Sequence, residues 1–286
     1  MELFLDLLRS IVYGVIEGIT EWLPISSTGH MILAEQVLKF SLSAEFMEMF
    51  RVVIQLGAIM AVVVLYFKKL WPFCGDNGRD SGLAKHIRWP VLRLWLKIIV
   101  ACLPAAVLGL LLDDWMDAHF YNSVVVAVML IVYGIAFILI ERRPRVPTTT
   151  KLSRITYKQA IIVGAWQVLA LIPGTSRSGA TIIGGLLCGM SRACASQFTF
   201  FLAIPVMAGA SGLKLVKFLV GGGVFTVAEV GALLVGCIVA FVVSIMAIRF
   251  LMDYVKKHTF TIFGWYRIAL GILVLGIWAL QSFVLA

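Results

Sequence analysis

Two glutamates near the amino terminus are the first residues in this 286-residue chain whose spacing suggests chemistry. Glu17 and Glu21 stand four positions apart, so on a helix they share one face, with their Cβ atoms about 5 to 6 Å apart. Their neighbours are mostly apolar, and an unpaired charge at the centre of a bilayer costs roughly 2.5 to 3.5 kcal/mol even on the mildest scale. Two such charges need a metal cation, a proton or an arginine beside them. The alternative is a solvated pair at a membrane surface.

A cluster of hydroxyl residues follows these glutamates. Ser26, Ser27 and Thr28 come shortly after Pro24 and directly before an apolar stretch. Ser and Thr at a helix start cap free N–H groups, and the same helix end offers its N–H groups and its dipole to a phosphate. Capping explains one such residue but does not require three in a row. His30 is the one histidine in an apolar segment; beside hydroxyls and carboxylates it is a candidate base or nucleophile, although a lone histidine is more often structural.

A second cluster resembles the first in its residue types. Its members are Gly174, Thr175, Ser176, Arg177 and Ser178, and they again follow a proline. Glycine lets the backbone approach an anion closely, hydroxyls donate hydrogen bonds, and a guanidinium is a planar fork suited to phosphate oxygens. Arg177 has a simpler role as the salt-bridge partner of one of the two glutamates, and the two roles are compatible. Together the clusters predict a phosphate site with the option of a metal ion.

The composition indicates where these clusters lie. Apolar residues make up 61% of the chain and charged residues 14%, with a mean hydropathy of +1.00, whereas an ordinary soluble domain is about 45 to 50% apolar and about 25% charged. Too little polar surface remains to coat a water-soluble globule. We therefore predict an all-α integral membrane protein in which residues 1–286 form a single polytopic domain. The net charge of +9 then marks the cytoplasmic ends of helices and does not indicate nucleic acid.

Hydropathy separates two kinds of apolar segment. Six segments reach the roughly 20 residues that a spanning helix needs, at about 48–67, 91–112, 121–140, 198–219, 228–250 and 260–283. Residues 3–38 and 157–190 differ, because each holds a helical stretch, a proline, a cluster of hydroxyl residues and glycine, and a second short apolar stretch. Non-helical backbone at membrane depth is tolerated only where protein or a water-filled cavity satisfies it. These two segments are predicted to be re-entrant helical hairpins.

Basic residues orient this arrangement through the positive-inside rule. They concentrate in the connections 68–90, 141–158 and 249–257, which we assign to the cytoplasm. The opposite connections are acidic or neutral, and one of them is expected to hold Asp113, Asp114 and Asp117. Lys214 and Lys217 lie near the outer end and count against the assignment without reversing it. The two hairpins are then expected to enter the membrane from opposite faces.

An internal repeat accounts for that opposition. Residues 14–29 parallel residues 164–179, and each copy is followed by three crossings. The predicted inverted-topology repeats cover about 1–140 and 157–286, joined by a cytoplasmic linker at about 141–156. Inverted repeats whose broken helices meet at the midplane are a known membrane architecture. The site is therefore predicted to lie between the two hairpins.

The two clusters also carry a specific resemblance. The stretches EGITEWLPISSTGH, from Glu17 to His30, and PGTSRSGAT, from Pro173 to Thr181, resemble the two signature motifs of the bacterial undecaprenyl-diphosphatases (undecaprenyl pyrophosphate phosphatases) of the bacitracin-resistance type. The resemblance extends to 53–57 and 201–207 and so covers nearly the whole chain. Family members commonly have an acidic residue where this chain has Arg51, and often one where it has Gln197. Glu48 is a local candidate partner for Arg51.

The resemblance implies a reaction and a location. Such enzymes hydrolyse undecaprenyl diphosphate to undecaprenyl phosphate and inorganic phosphate with a divalent cation, Mg²⁺ or Ca²⁺. The reaction recycles the lipid carrier for peptidoglycan synthesis and gives bacitracin resistance. The implied location is the bacterial plasma (inner) membrane, with the active site open to the outer, periplasmic side. The expected partners are the polyprenyl substrate and membrane lipid, without nucleic acid; the oligomeric state stays open, with a homodimer among the options.

Residue types and resemblance together give each side chain an expected role. Glu17 and Glu21 hold the cation against the diphosphate. Ser27 is the expected nucleophile with His30 as its base or acid, and the reverse assignment stays open. The residues expected to bind phosphoryl oxygens are Arg177, Ser26, Thr28, Gly174, Thr175, Ser176 and Ser178. The main alternative is a transporter or flippase of a lipid phosphate or anion, because secondary transporters share inverted repeats and broken helices. A lipid-binding scaffold without turnover leaves the charged residues unexplained.

Overall fold

The computed structural model describes residues 2–38, 40–75, 86–143 and 146–284. Across these ranges the protein is helical, with β-structure limited to two isolated bridges. The α-helices are α1 (Glu2–Thr20), α2 (Ser27–Val37), α3 (Ala44–Val53), α4 (Gln55–Leu70), α5 (Trp89–Phe120), α6 (Ser123–Glu141), α7 (Tyr157–Val168), α8 (Arg177–Leu187), α9 (Arg192–Val220), α10 (Val227–Lys257) and α11 (Thr261–Val284). The predicted all-α class is confirmed.

The predicted spans are also confirmed. Over the described part of the chain, six helical segments are long and apolar enough to cross a membrane. They are Ala44–Leu70, Trp89–Leu112, Ser123–Glu141, Arg192–Val220, Val227–Lys257 and Thr261–Ser282, each overlapping one predicted segment. The first combines α3 and α4, which are separated by a break at Ile54. Directly after this break, Gly57 lies so close to α10 that an added Cβ would stand 2.1 Å from the Cys237 carbonyl oxygen; the close approach therefore requires glycine.

One predicted connection is helical over most of its length. Asp113, Asp114 and Asp117 were expected in a connection, but α5 continues through Phe120. Aspartate does not stop a helix that has already formed. The chain leaves the helical path after Phe120, where Asn122 caps α6 by accepting a hydrogen bond from the Val125 N–H at 2.9 Å.

Three basic residues assigned to the cytoplasmic connections, Arg79, Lys85 and Arg145, lie outside the described residues.

Two helix–turn–helix units are segments of the chain that do not belong to the six spans. The first joins α1 to α2 through residues 21–26, and the second joins α7 to α8 through residues 169–176. Ser26 and Ser176 occupy matching places, with φ of 72° and 70°, and each caps the following helix by accepting from the N–H of Gly29 or Gly179. Among the described residues, these two serines are the non-glycine residues with positive φ. Such a conformation persists only where the surrounding structure enforces it, and it is concentrated at functional sites.

Candidate active site

The two units meet at a salt bridge between Glu21 and Arg177. The Arg177 Nη2 and Nε atoms donate to Glu21 Oε1 at 2.9 and 3.2 Å, and the two side chains are only 11% and 8% exposed. The remaining nitrogen, Nη1, donates to the Thr199 carbonyl at 3.1 Å. The structure therefore brings together two clusters that are 156 positions apart in sequence. It selects Glu21 from the two carboxylates considered as partners of Arg177.

Ser27 lies beside this ion pair. Its hydroxyl donates to Glu21 Oε2 at 3.5 Å, the oxygen that the arginine does not use. Ser27 and Thr28 both line a cavity of about 170 Å³ with Glu21 and Arg177; we call it the inner chamber. A hydroxyl, a carboxylate and a guanidinium therefore face one cavity, which is the arrangement needed to bind and attack a phosphoryl group.

Glu17 is the second carboxylate, and it is 1% exposed. Its Oε1 atom is buried without a hydrogen-bond partner, although buried polar groups are nearly always paired. Glu17 lines a second cavity of about 470 Å³, which also includes Ser27, Thr28 and Gln55; we call it the middle chamber. The same three residues line the inner chamber, so the two chambers adjoin.

The donor set suits a cation that arrives with its substrate. In the described ranges there is no group of three or more His, Cys, Asp and Glu side chains that could hold a metal ion. Glu17 and Glu21 lie near the hydroxyls, and the buried Glu17 Oε1 atom, which has no hydrogen-bond partner, is available to a cation. Mg²⁺ commonly binds one or two carboxylates and completes its shell with substrate phosphates and water. The two glutamates fit that pattern.

The remaining predicted phosphate ligands fall into two groups. Thr28, Gly174 and Ser176 line the inner chamber. Ser26 and Thr175 are buried in the turns and Ser178 is buried in the first turn of α8; none of the three is among the residues that line the inner chamber. The Thr175 hydroxyl has no hydrogen-bond partner there, while Ser178 Oγ lies 3.2 Å from Ser176 Oγ. Gly174 has a φ of 90° and packs so closely on Val126 that an added Cβ would lie 2.5 Å from its carbonyl oxygen.

His30 lies away from these chambers. Its Nδ1 atom is 2.7 Å from the Ser26 carbonyl oxygen, and its Nε2 atom is 2.7 Å from the Tyr266 hydroxyl. The two rings also stack, with centroids 5.6 Å apart. His30 lines neither the inner nor the middle chamber. The structure thus places Glu21 beside the Ser27 hydroxyl and holds His30 against α11.

Arg267 is a site residue that sequence reasoning missed. It is fully buried in α11, where Nη1 donates to the Pro24 carbonyl at 3.2 Å and Nη2 donates to the Gly174 and Thr175 carbonyls, each at 2.9 Å. One guanidinium therefore joins the turn of the first unit to the turn of the second. The available signal was an arginine in the middle of the apolar segment 260–283.

The expected pairing of Glu48 with Arg51 was wrong. Arg51 forms its ion pair with Glu35 on α2, and Glu48 pairs with Lys214 on α9 at 2.8 Å. The reason is packing, since α3 lies against α9 and directs Glu48 towards it. Both ion pairs border the middle chamber, through Arg51, Glu48 and Lys214.

The fold and site define a polytopic helical membrane protein with a buried carboxylate, guanidinium and hydroxyl site suited to phosphate. The family described as bacitracin resistance protein BacA matches residues 10–273, and the chain belongs to that family. An undecaprenyl-diphosphatase of Enterococcus faecalis is 60% identical over 96% of this chain and 99% of the relative. Undecaprenyl-diphosphatases of Lactococcus lactis subsp. lactis and Streptococcus thermophilus are 57% and 56% identical, each over 95% of this chain and over 96% and 93% of the relative. The resemblance seen in the two motifs is confirmed.

Proposed function

We infer that this protein is an undecaprenyl-diphosphatase, which hydrolyses undecaprenyl diphosphate to undecaprenyl phosphate and inorganic phosphate. The observation that carries the inference is the Glu21–Arg177 ion pair beside Ser27 in the inner chamber. Relatives that share more than half of their residues with this chain over nearly their full length have that name. The reaction would recycle the lipid carrier for peptidoglycan synthesis, which accounts for the link with bacitracin resistance.

The two helix–turn–helix units serve as re-entrant hairpins of an inverted repeat, with halves at about 1–140 and 157–286. The helices α2 and α8 have 11 residues each, about 16 Å of helix, which is too short for a hydrocarbon core of roughly 30 Å. The matching serine caps and the three spans that follow each unit support the same arrangement. With the basic connections in the cytoplasm of the cell, the site opens to the outer face of the plasma membrane.

The residues suggest a two-step displacement. Arg177 and the N–H groups at the start of α2 and α8 bind the oxygens of the terminal phosphoryl group. The Ser27 Oγ atom attacks that phosphorus, its proton passes to Glu21 Oε2, and the bond to the bridging oxygen breaks, releasing undecaprenyl phosphate. Water then attacks the phosphoserine, and the proton held by Glu21 returns to the leaving Ser27 oxygen, which releases inorganic phosphate and regenerates the hydroxyl and the carboxylate. His30 holds the start of α2 against Tyr266.

A divalent cation, Mg²⁺ or Ca²⁺, would be held by Glu17 and Glu21 together with diphosphate oxygens and would neutralise charge that moves to the bridging oxygen.

Glu17→Gln is then expected to raise the metal concentration for half-maximal activity by about tenfold or more, because about 1.4 kcal/mol of lost binding corresponds to that factor. The measurement is phosphate release during titration of chelated protein with Mg²⁺ or Ca²⁺. Glu2→Gln, at an exposed glutamate, is the control; identical titrations for both variants would refute the role of Glu17.

Phosphate release from undecaprenyl diphosphate by the purified protein in detergent tests the function itself. Wild type is expected to release one phosphate per substrate molecule, and Arg177→Ala to lower kcat by at least about 100-fold, because losing one preorganised donor commonly costs 10² to 10³. Arg249→Ala, at an exposed arginine on α10, is the matched control and should behave as wild type. A transporter would release no phosphate under these conditions, and that result would reject the proposed activity.

A further inference from the structure

A cleft continues from the inner chamber to the protein surface. The middle chamber adjoins a third cavity of about 660 Å³, and Glu48 and Lys214 line both; we call the third cavity the outer chamber. Lys217 and the glycine turn at 221–223 also line the outer chamber. Arg177 in the inner chamber is thereby connected, through adjoining spaces, to the surface at the end of α9.

Cationic side chains recur along this cleft. Arg51 lines the middle chamber, and Lys214 stands where the middle and outer chambers meet. Each has a carboxylate partner on another helix, Glu35 for Arg51 and Glu48 for Lys214. Arg51 lines the middle chamber, whereas its partner Glu35 does not. The reaction described above uses neither cation.

The geometry of a diphosphate indicates what these cations could bind. When the reacting phosphoryl group lies beside Arg177, the second phosphoryl group is only one bridging oxygen away and must occupy the adjoining space. The middle chamber is that space, since Ser27 and Thr28 line both chambers. Two carboxylates, Glu17 and Glu48, also line it, so an entering phosphate needs cations close by. Arginine and lysine are the side chains best suited to phosphate oxygens.

The other walls of the middle chamber fit the same ligand. Met31 and Val52 border it, and such apolar side chains suit the first carbons of a polyprenyl chain. A bound phosphate would replace Glu35 as the partner of Arg51 and Glu48 as the partner of Lys214.

We propose that Arg51 and Lys214 form a second phosphate subsite next to the catalytic hydroxyls. It binds a tetrahedral phosphate that is either the lipid-linked phosphoryl group of the substrate or the released inorganic phosphate. The proposal rests on the proposed function, which supplies both ligands. It extends that function by assigning roles to two cations outside the motif clusters.

Steady-state kinetics with inorganic phosphate as inhibitor separates the two sources. Arg51→Gln and Lys214→Gln are expected to raise either the KM for undecaprenyl diphosphate or the inhibition constant for phosphate by about tenfold, with a smaller change in kcat. A change in KM alone assigns the subsite to the lipid-linked group, and a change in the inhibition constant alone assigns it to the product. Arg51→Lys keeps the positive charge, so its KM and inhibition constant should lie between those of wild type and Arg51→Gln. Arg249→Gln is the control.

A binding measurement keeps this test independent of turnover. Inorganic phosphate should raise the Tm of wild type and of Arg249→Gln, and raise it less in Arg51→Gln. The double variant with Arg51→Gln and Glu35→Gln removes both charges of the ion pair, so it repeats the comparison without an unpaired carboxylate. If KM, the inhibition constant and the Tm response all match the control, the subsite is refuted. If wild type releases no phosphate from the lipid, the proposed function fails instead, and the Tm response alone decides the subsite.

Discussion

Ser27→Ala is expected to abolish the phosphoenzyme and to lower kcat by at least about 1,000-fold, because the variant lacks the oxygen that attacks the phosphorus in the proposed displacement. Ser27 Oγ lies 3.5 Å from Glu21 Oε2 and faces the inner chamber with Arg177. The measurement uses substrate labelled in its terminal phosphate, with acid quenching in the first turnovers. Wild type should retain label on the protein and Ser27→Ala should not.

His30→Ala provides the contrasting variant for that experiment. His30 contacts the Ser26 carbonyl and Tyr266 and lines neither chamber, so label should still be trapped on the protein when the imidazole is removed. Its loss should lower the rate only through looser packing of α2 on α11. Label that persists in Ser27→Ala and disappears in His30→Ala would make the histidine the nucleophile and overturn the assignment.

The spans could be predicted from sequence because the membrane requirement acts on composition over about 20 residues. Their ends were less predictable, because local hydrogen bonds decide them. The α5 helix passes three aspartates and stops only at the Asn122 cap of α6. The break at Ile54 within the first span was also not predicted, because no proline or glycine in the sequence marks that position.

The candidate site, like the spans, could be predicted only in part from the sequence. The Glu21–Arg177 pair was foreseeable, because a buried charge needs an opposite charge and the two turns held the available candidates. The position of His30 was not, because proximity in sequence to Ser27 does not fix the direction of a side chain on α2. Only the packing of α2 on α11 brings Tyr266 within 2.7 Å of the imidazole.

Arg267→Met is expected to lower kcat by about 100-fold and to lower the Tm, because this guanidinium holds both turns of the site. Without it, the carbonyl groups of Pro24, Gly174 and Thr175 lose a buried donor, and each unsatisfied group costs about 1 to 3 kcal/mol. The turns then relax apart, and a shift of about 1 Å between reacting groups can lower a rate 100-fold. The measurements are kcat, KM and thermal unfolding of the detergent-solubilised protein.

Arg267→Lys separates positioning from folding in this comparison. An ammonium keeps the charge but replaces the fork that bridges the two turns with a single point of donation. We therefore expect most of the Tm to return while kcat stays well below wild type, with phosphoenzyme formation as the slowed step. Arg249→Met, at an exposed position, controls for the loss of one arginine. If Arg267→Lys recovered kcat and Tm in parallel, the residue would act through stability alone, and the proposed alignment of the two turns by a single guanidinium would be wrong.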